Sequence, residues 1–330
     1  MQPFRYTRAA DTNAAVNAVT SNMRAKFIAG GTNILDLMKE GVETPTELVD
    51  ISRLNLTQIW ATANGISIGA LAKNVDTANH PLIRRDYPLL TQAILAGASA
   101  QIRNMATNGG NLMQQTRCSY FYDISMPCNK REAGSGCGAL EGFNRNHSIF
   151  DWDTNCADVH PSDMCVALAA LEATVNVQGT DGKTRVIPFV EFFRPAADMV
   201  MSDTTLRHGE LITSIDLARS SFAGNSHYLK IRDRASYAFA LVSVAAALEL
   251  SGGQIKQVRL AMGGVARKPW RAFEAEKALT GKTATEENFR AAADAEMKHA
   301  RPLEHNKFKV ELGRRAIILA LKRASHPIAV

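Results

Sequence analysis

The sequence lacks any run of apolar residues close to the about 20 that a membrane-spanning helix requires. Its longest apolar stretch, residues 238–250, is interrupted by Ser243 and Glu249. The first thirteen residues contain no apolar core of a secretory signal, so the sequence by itself predicts a cytoplasmic protein. Basic residues are scattered rather than clustered despite a net charge of +6, which argues against nucleic-acid binding and permits an anionic ligand or an acidic partner.

Cysteine is absent from most of the chain and is concentrated in one window of 48 residues. The window holds Cys118, Cys128, Cys137, Cys156 and Cys165. An odd number of cysteines and the lack of a secretory signal weaken the case for a disulfide framework. A concentrated group of this kind is more typical of a metal site.

With 330 residues, 46 % of them hydrophobic, the chain is long enough for two globular domains, and its composition excludes wholesale disorder. The first 55 residues alternate between helix and strand patterns, as in a βαβ unit. Residues 118–156 are rich in Gly, Asn, Pro and Asp and have little apolar periodicity. This composition predicts an irregular inserted module that needs something other than a core to order it.

Apolar periodicity and turn residues predict the remaining elements. We expect helices at 14–23, 34–39, 88–97, 162–171, 270–279, 286–300 and 307–323. We expect strands at 26–29, 47–51, within 58–71, and at 172–178, 210–217, 228–232 and 257–263, with 240–250 as either a strand or a helix. A change in composition predicts a domain boundary near residues 218–224.

Two glycine-containing turns are candidates for binding phosphates. Residues 27–33, FIAGGTN, join a strand to a helix start, which would gather main-chain N–H groups at one concave spot. The dinucleotide fingerprint and the Walker lysine are both absent, so a plain tight turn is the alternative. Residues 107–111, TNGGN, offer a second set of donors, although alone they are an ordinary loop sequence. Two such turns suit a long, dinucleotide-like ligand.

Cys118, Cys128, Cys137 and Cys156 are separated by 9, 8 and 18 residues. Four thiolates can hold a tetrahedral zinc ion or a cubane iron–sulfur cluster. Structural zinc sites usually contain cysteines two to four residues apart, so the wide spacing favours the cluster, with zinc, disulfides or free thiols as alternatives. Cys165 lies in a helical pattern and is interpreted as a buried core thiol.

With these residues identified, the chain resembles the FAD-binding medium subunits of molybdenum hydroxylases, the xanthine dehydrogenase and aldehyde oxidoreductase family. The matching segments are 26–33, 68–71, 102–111, 161–163, 209–212 and the stretch around Lys230. The segment 116–137 is similar to the insertion that carries a [4Fe-4S] cluster in a few of these subunits, notably those of bacterial periplasmic aldehyde oxidoreductases. The flavoproteins of hydroxybenzoyl-CoA reductases are the alternative.

The resemblance implies an α+β fold. An FAD-binding domain of the vanillyl-alcohol oxidase (PCMH) type would cover residues 1–220, with the [4Fe-4S] insert at about 114–160. A smaller α+β domain of the CO dehydrogenase flavoprotein type would cover residues 221–330. The four cysteines named above would be the cluster ligands, and FAD and the [4Fe-4S] cluster would be the cofactors of this chain.

The resemblance also assigns residues to the FAD. Its pyrophosphate would contact Lys26, Phe27, Ile28, Ala29, Gly30, Gly31, Thr32 and Asn33. Thr107, Gly110 and Asn111 would add donors on the phosphate side. Asp163 would bind a flavin-side hydroxyl or ring amide, and Leu211 and Lys230 would approach the isoalloxazine. Ile102 would pack on the ring or the adenine, with core packing as an equal alternative. His160 is interpreted as a solvated loop histidine.

The implied function is electron transfer. Aldehyde and water would become a carboxylic acid at a molybdenum cofactor on a large subunit, and electrons would pass through two [2Fe-2S] clusters on a small subunit to FAD and then to an external acceptor. Such heterotrimers are exported on a partner's signal, so the resemblance implies a periplasmic location. The alternatives are a stand-alone FAD oxidase or reductase, and a zinc-stapled binding protein in which both glycine loops are only turns.

Overall fold

The computed structural model describes residues 1–194 and 202–326 of the chain. It is an α+β protein, as expected, whose described residues form sheets of three, five and four strands. The predicted domains 1–220 and 221–330 also include residues 195–201 and 327–330, which lie outside the described residues.

The first lobe is a small parallel sheet with helical connections. Its elements are β1 (Arg5–Arg8), α1 (Thr12–Thr20), β2 (Ala25–Ile28), α2 (Ile34–Lys39) and β3 (Glu47–Asp50), and the strand order is β1-β3-β2. Helix α1 begins where Asp11 accepts a hydrogen bond from the N–H of Ala14 at 2.8 Å, as N-cap residues do. Val16 of α1 shares a buried core with Val49 of β3. This βαβ arrangement places Gly30 at the carboxyl end of β2.

The second lobe is built on a five-stranded antiparallel sheet. Its strands are β4 (Ile59–Thr62), β5 (Gly65–Gly69), β6 (Thr174–Gln178), β7 (Thr184–Pro188) and β8 (Leu211–Ala218), in the order β4-β5-β8-β6-β7. β4 and β5 precede the insert in the sequence, and β6, β7 and β8 follow it. The two groups are joined because β8 pairs with β5 on one edge and with β6 on the other. The sheet is therefore completed by strands that follow the cysteine-rich region in the sequence.

Short helices surround this sheet, and the insert lies among them. In chain order they are α3 (Asn74–Asn79), α4 (Pro81–Asp86), α5 (Pro88–Ala96), α6 (Ala100–Met105), α7 (Asn108–Leu112), α8 (Ser119–Tyr122), α9 (Gly138–Glu141), α10 (Asp163–Ala170) and α11 (Phe189–Phe192). The insert between α7 and α10 contains two four-residue helices and is otherwise irregular, as predicted. Helix α10 is buried along its whole length.

The C-terminal domain is an antiparallel sheet covered by helices. Its strands are β9 (Ser226–Ile231), β10 (Val242–Ser251), β11 (Gln254–Gly263) and β12 (Trp270–Arg271), in the order β12-β11-β10-β9, and its helices are α12 (Phe273–Leu279), α13 (Glu286–Met297) and α14 (Phe308–Ser325). Tyr228, Ala245 and Ala261 of this sheet belong to the same buried cluster as Met164 and Leu168 of α10. The two domains therefore share a core around α10.

β1 and β12 differ from the sequence-based expectation. β1 was not predicted, because its four residues, RYTR, include no aliphatic side chain and carry little apolar signal. Trp270 and Arg271, expected in a helix, form β12, and the helix begins at Phe273; pairing with β11 overrides the local pattern. Residues 242–251 are a strand, one of the two alternatives that the sequence left open. No helix in the described ranges is long and apolar enough to cross a membrane.

Candidate cofactor sites

The first glycine loop lies directly against the main chain that leads into the second. A Cβ atom built on Gly30 would lie 2.0 Å from the carbonyl oxygen of Met105, so the two backbones approach this closely because residue 30 has no side chain. Gly31 has a φ angle of +73°, in the left-handed region that glycine favours. Phe27 and Ile28 end β2, and Ala29, Gly30, Gly31 and Thr32 form the turn. The structure thus brings together two loops that the sequence singled out separately.

Asn33, at the end of the first loop, carries a buried donor without a partner. Its Oδ1 accepts a hydrogen bond from the N–H of Gln115 at 3.1 Å. Its Nδ2 is buried and has no hydrogen-bond partner among the described residues. A buried amide N–H of this kind is costly unless an acceptor is bound, and a phosphate oxygen is such an acceptor. Lys26, in contrast, points outward to Glu43, at an Nζ–Oε1 distance of 3.4 Å.

The second glycine loop is held by hydrogen bonds within the chain. Thr107 Oγ1 accepts the N–H of Gly110 at 3.3 Å and so caps α7. Asn111 Nδ2 donates to Asn74 Oδ1 at 2.8 Å, and Asn111 Oδ1 accepts from the hydroxyl of Ser162. These polar groups therefore fix the position of the loop, and they tie it to the start of α10.

Asp163 and Lys230, both predicted for the flavin side, meet across the two domains. Lys230 Nζ lies 2.8 Å from Asp163 Oδ2 and 3.0 Å from the carbonyl oxygen of Ala96. The hydroxyl of Tyr228 donates to Asp163 Oδ1 at 2.6 Å. Burial raises the pKa of Tyr228 well above its usual value, so the hydroxyl stays protonated and remains a donor. The result is a buried ion pair whose carboxylate is bound at both oxygens.

The remaining two predicted contacts lie in different surroundings. Ile102 is half-buried in α6, the helix that leads into the second loop, and its N–H donates to Ser99 Oγ at 3.3 Å. Leu211 begins β8 and is buried in the same core cluster as Val16 and Leu71. The structure therefore places Leu211 in the core of the first lobe, and its flavin contact stays a prediction.

Four of the five cysteines line a single cavity in the insert. They are Cys118, Cys128, Cys137 and Cys156, all as free thiols. Cys128 and Cys137 face each other in an isolated antiparallel bridge, and the thiols of Cys137 and Cys156 are hydrogen-bonded. Across residues 1–194 and 202–326, no three His, Cys, Asp or Glu side chains converge on one point as ligands of a single metal ion do. Cys165 is buried in α10, as predicted.

Burial and hydrogen bonding shift the pKa values of these thiols. Burial raises the pKa of Cys118 to about 12, whereas the hydrogen bond with Cys156 lowers the pKa of Cys137 to about 6. His147 Nε2 lies 3.1 Å from Cys118 Sγ, and burial lowers the pKa of this histidine to about 4, so the ring is neutral. Four cysteines around one space have the donor chemistry of an iron–sulfur site, and the cluster itself stays a prediction.

A buried network of charges borders the cysteine cavity. Lys130 Nζ lies 2.9 Å from Asp158 Oδ2 and 2.6 Å from Asp203 Oδ2, and Arg267 Nε lies 2.9 Å from Asp158 Oδ1. Burial disfavours a charged amine, but the two carboxylates outweigh it and raise the pKa of Lys130. The network joins the insert to the chain preceding β8 and to the C-terminal domain.

Replacing Lys130 with methionine is expected to destabilise the protein by about 3–5 kcal/mol, because it leaves Asp158 and Asp203 buried without the cation between them. The free energy of unfolding from urea denaturation measures the loss. Lys183→Met, at an exposed loop position, is the matched control and is expected to change it little. Equal stability of the two variants would show that the network contributes nothing.

His160 corrects an expectation. It was interpreted as a solvated loop histidine, but it is buried, and its ring packs on Phe193 with the centroids 4.6 Å apart. The N–H of His160 donates to the carbonyl oxygen of Ala266, which draws this loop beneath the C-terminal domain. A proline-flanked loop sequence contains no signal for such burial. Burial lowers the pKa of His160 to about 3.

This pKa predicts a loss of stability in acid. Between about pH 6.5 and pH 3 the unfolded chain binds a proton at His160 that the folded chain excludes, so stability falls as the pH drops below 6.5. At pH 5 the loss from this group is about 2 kcal/mol relative to pH 7.5. Urea denaturation at both pH values should show that His160→Phe loses about 2 kcal/mol less than the wild type, whose total loss also includes the buried His147. Identical pH dependence in both proteins would contradict the assignment.

Several residues of these sites were not found from the sequence. They are Asn74, Tyr228, His147, Lys130 and Asp158. Tyr228 lies two residues before Lys230 on the same strand, so strand periodicity would have placed it on the same face as that lysine. The others depend on contacts between distant parts of the chain, for which the sequence contains no local signal.

Family models match both domains. The FAD-binding domain in molybdopterin dehydrogenase matches residues 2–219, and the CO dehydrogenase flavoprotein C-terminal domain matches residues 227–325. The fold and its facing glycine loops therefore define a two-domain flavoprotein. The chain belongs to the family of FAD-binding medium subunits of molybdenum hydroxylases, which confirms the resemblance seen in the sequence.

Individual relatives are similar over nearly the whole chain. The aldehyde oxidoreductase FAD-binding subunit of Escherichia coli is 46 % identical over 98 % of this chain and 99 % of its own. The glyceraldehyde dehydrogenase medium chain of Sulfolobus acidocaldarius is 29 % identical over 84 % of this chain and 82 % of its own. Among solved structures, a carbon monoxide dehydrogenase chain from Hydrogenophaga pseudoflava superposes with a TM-score of 0.79 at 25 % identity, covering 99 % of both chains.

Proposed function

We propose that this protein is the FAD- and [4Fe-4S]-carrying electron-transfer subunit of a molybdenum-dependent aldehyde oxidoreductase. Aldehyde oxidation to a carboxylic acid takes place on a partner subunit, and the electrons leave through this chain to an external acceptor. The 46 % identity with an aldehyde oxidoreductase FAD-binding subunit over the full length supports the substrate class. The four cysteines that line one cavity support the second cofactor.

The two glycine loops would hold the diphosphate of the FAD. Gly30 and Gly31 allow a ligand to approach the main chain, and the unpartnered Nδ2 of Asn33 supplies a buried donor. Thr107, Gly110 and Asn111 would keep the second loop in place beside it. In this role Asn33 contacts the ligand, whereas Asn111 acts through its hydrogen bonds to neighbouring residues.

The Asp163–Lys230 pair would face the isoalloxazine. Bound FAD supplies an acceptor of two electrons that can pass them on singly. Lys230 would provide a positive charge to the bound ring, and Asp163 holds that charge at a fixed position. Tyr228 in turn orients Asp163 by donating to its second oxygen. A cation fixed in this way favours the electron-rich form of the ring.

The four cysteines would bind the cluster, one to each iron. Because the insert has little core of its own, cluster binding would also order it, and the binding free energy would contribute to folding. The cluster site and Asp163 are connected by the short segment 156–163, which spans at most about 25 Å when extended. This connection supports a cluster near the flavin, either as an electron relay or as a structural element.

The partners of this chain would be a large subunit with the molybdenum cofactor and a small subunit with two [2Fe-2S] clusters, in a heterotrimer. Related chains that are named as medium chains or medium subunits support this assembly. We place the complex in the periplasm, exported in folded form on the signal of a partner. Export after folding suits a protein whose cofactors are inserted in the cytosol.

The cofactor content of the purified complex tests the proposal. We expect one FAD per copy of this chain and, after the small subunit has been dissociated, about four iron and four sulfide in this chain. A chain that contains FAD and zinc would contradict the assignment of the cluster, but the chain would still be a flavoprotein. A folded, partner-bound chain without FAD would contradict the whole assignment.

A further inference from the structure

We propose that His147 is a positioning residue that donates a hydrogen bond to the sulfur of Cys118 and raises the reduction potential of the cluster. This inference rests on the proposed function, because it requires a cluster bound by the four cysteines. His147 is not one of the four proposed cluster ligands, and no motif or spacing in the sequence indicates a role for it. The observation that carries it is the distance of 3.1 Å between its Nε2 and Cys118 Sγ.

The backbone of His147 is fixed from three directions. Its N–H donates to the carbonyl oxygen of Asn144 at 3.0 Å. Its carbonyl oxygen accepts hydrogen bonds from Asn306 Nδ2 at 3.1 Å and from the buried Lys309 Nζ at 3.0 Å. Asn306 and Lys309 lie at the start of the last helix, so the C-terminal domain sets the position of this residue in the insert. The imidazole is thereby held against the sulfur.

The direction of the hydrogen bond follows from the chemistry of the sulfur. A free thiol at Cys118 can donate to the ring, but a cysteine bound to iron is a thiolate and can only accept. Because the thiolate only accepts, Nε2 must carry a proton at this distance. His147 Nδ1 is buried and makes no hydrogen bond to any described residue, so no competing acceptor holds the proton on the other nitrogen.

A donor at a ligand sulfur stabilises the reduced cluster more than the oxidised one. The reduced state carries one more negative charge, part of which resides on the cysteine sulfurs, and hydrogen bonds to the sulfurs are among the factors that set the potential of such clusters. Removing the N–H should therefore lower the potential. A side chain of similar size that has no N–H donor should not restore the potential.

The test is a redox titration of the cluster, followed by electron paramagnetic resonance, in the assembled complex. His147→Phe keeps a ring without a donor, and His147→Gln keeps an N–H near the position of Nε2. We expect the Phe variant to raise the ratio of oxidised to reduced cluster about tenfold at a fixed potential. For one electron, this corresponds to a decrease of about 59 mV in the reduction potential. The Gln variant should return most of this shift. His160→Phe, at a buried histidine that packs on Phe193 instead, is the control and should leave the potential unchanged.

A second measurement on the wild type covers the case in which the Phe variant does not retain its cluster. With ¹⁵N-labelled histidine, pulsed resonance of the reduced cluster should show a weak coupling to one histidine nitrogen and to one exchangeable proton. A wild-type cluster without this coupling, or a Phe variant with full iron and unchanged potential, would overturn the role of His147 alone. A wild-type chain without iron and sulfide would overturn the proposed function and this inference together.

Discussion

Gly30→Ala is expected to reduce FAD affinity at least about 100-fold, equivalent to about 2.7 kcal/mol. The added methyl carbon would lie 2.0 Å from the carbonyl oxygen of Met105, and a backbone atom has no rotamer with which to move away. The two glycine loops must therefore separate, and the donors that they direct at the ligand no longer share one site. Equilibrium dialysis or quenching of flavin fluorescence with the purified complex measures the affinity.

Gly224→Ala is the control for this substitution. A Cβ at that position meets no atom within 4 Å, so the variant should bind FAD as the wild type does. Circular dichroism of both variants separates a local effect from misfolding. A Gly30→Ala protein that is folded and binds FAD with wild-type affinity would show that the facing loops do not form the FAD site.

Cys128→Ser and Cys137→Ser are each expected to remove most of the cluster iron, because a serine hydroxyl replaces one of the four thiolates around the cavity. The loss also removes a cross-link from a module with little core, so the insert should become sensitive to proteolysis while the FAD remains bound. Iron and sulfide analysis, together with limited proteolysis of the complex, measures both effects.

Cys165→Ser provides the comparison for the cysteine variants. This cysteine is equally close in sequence to the others and is buried, but it lies in α10 and does not line the cavity. Its replacement should leave iron and sulfide at wild-type content. Full iron content in Cys128→Ser, or equal iron loss in all three variants, would contradict the assignment of the ligands.

The local parts of the sites could be predicted from the sequence. A strand followed by two glycines predicts a tight turn wherever it occurs, and the concentration of cysteines in a core-poor segment indicates a metal site without further context. The turn within residues 27–33 is confirmed, and the four cysteines line one cavity, whereas their metal binding stays a prediction. These signals are local because each depends on backbone conformation or on ligand chemistry within one segment.

The contacts between segments could not be predicted from the sequence. Lys130 and Asp158 are 28 residues apart and form a buried pair only because the insert folds back beneath the C-terminal domain. His147 reaches Cys118 for the same reason. From the sequence alone, such residues are interpreted as ordinary surface charges or loop histidines.

The domain interface explains why these long-range contacts concentrate near the cofactor sites. Asp163 of α10 pairs with Lys230 of β9, and Asp158 pairs with Arg267 beyond β11. Both pairs join the insert-bearing domain to the C-terminal sheet. The proposed flavin and cluster sites therefore lie where the two domains meet, and a substitution that loosens this interface should affect both.

In the proposed function, electrons from aldehyde oxidation reach a flavin in this chain. The most direct test mixes the anaerobic complex, containing its molybdenum and [2Fe-2S] partners, with an aromatic or aliphatic aldehyde and follows the flavin absorbance near 450 nm. We expect bleaching of the flavin in the wild-type complex and none when the molybdenum subunit is omitted. An aldehyde that reduces the [2Fe-2S] clusters while the bound flavin stays oxidised would contradict the proposed function.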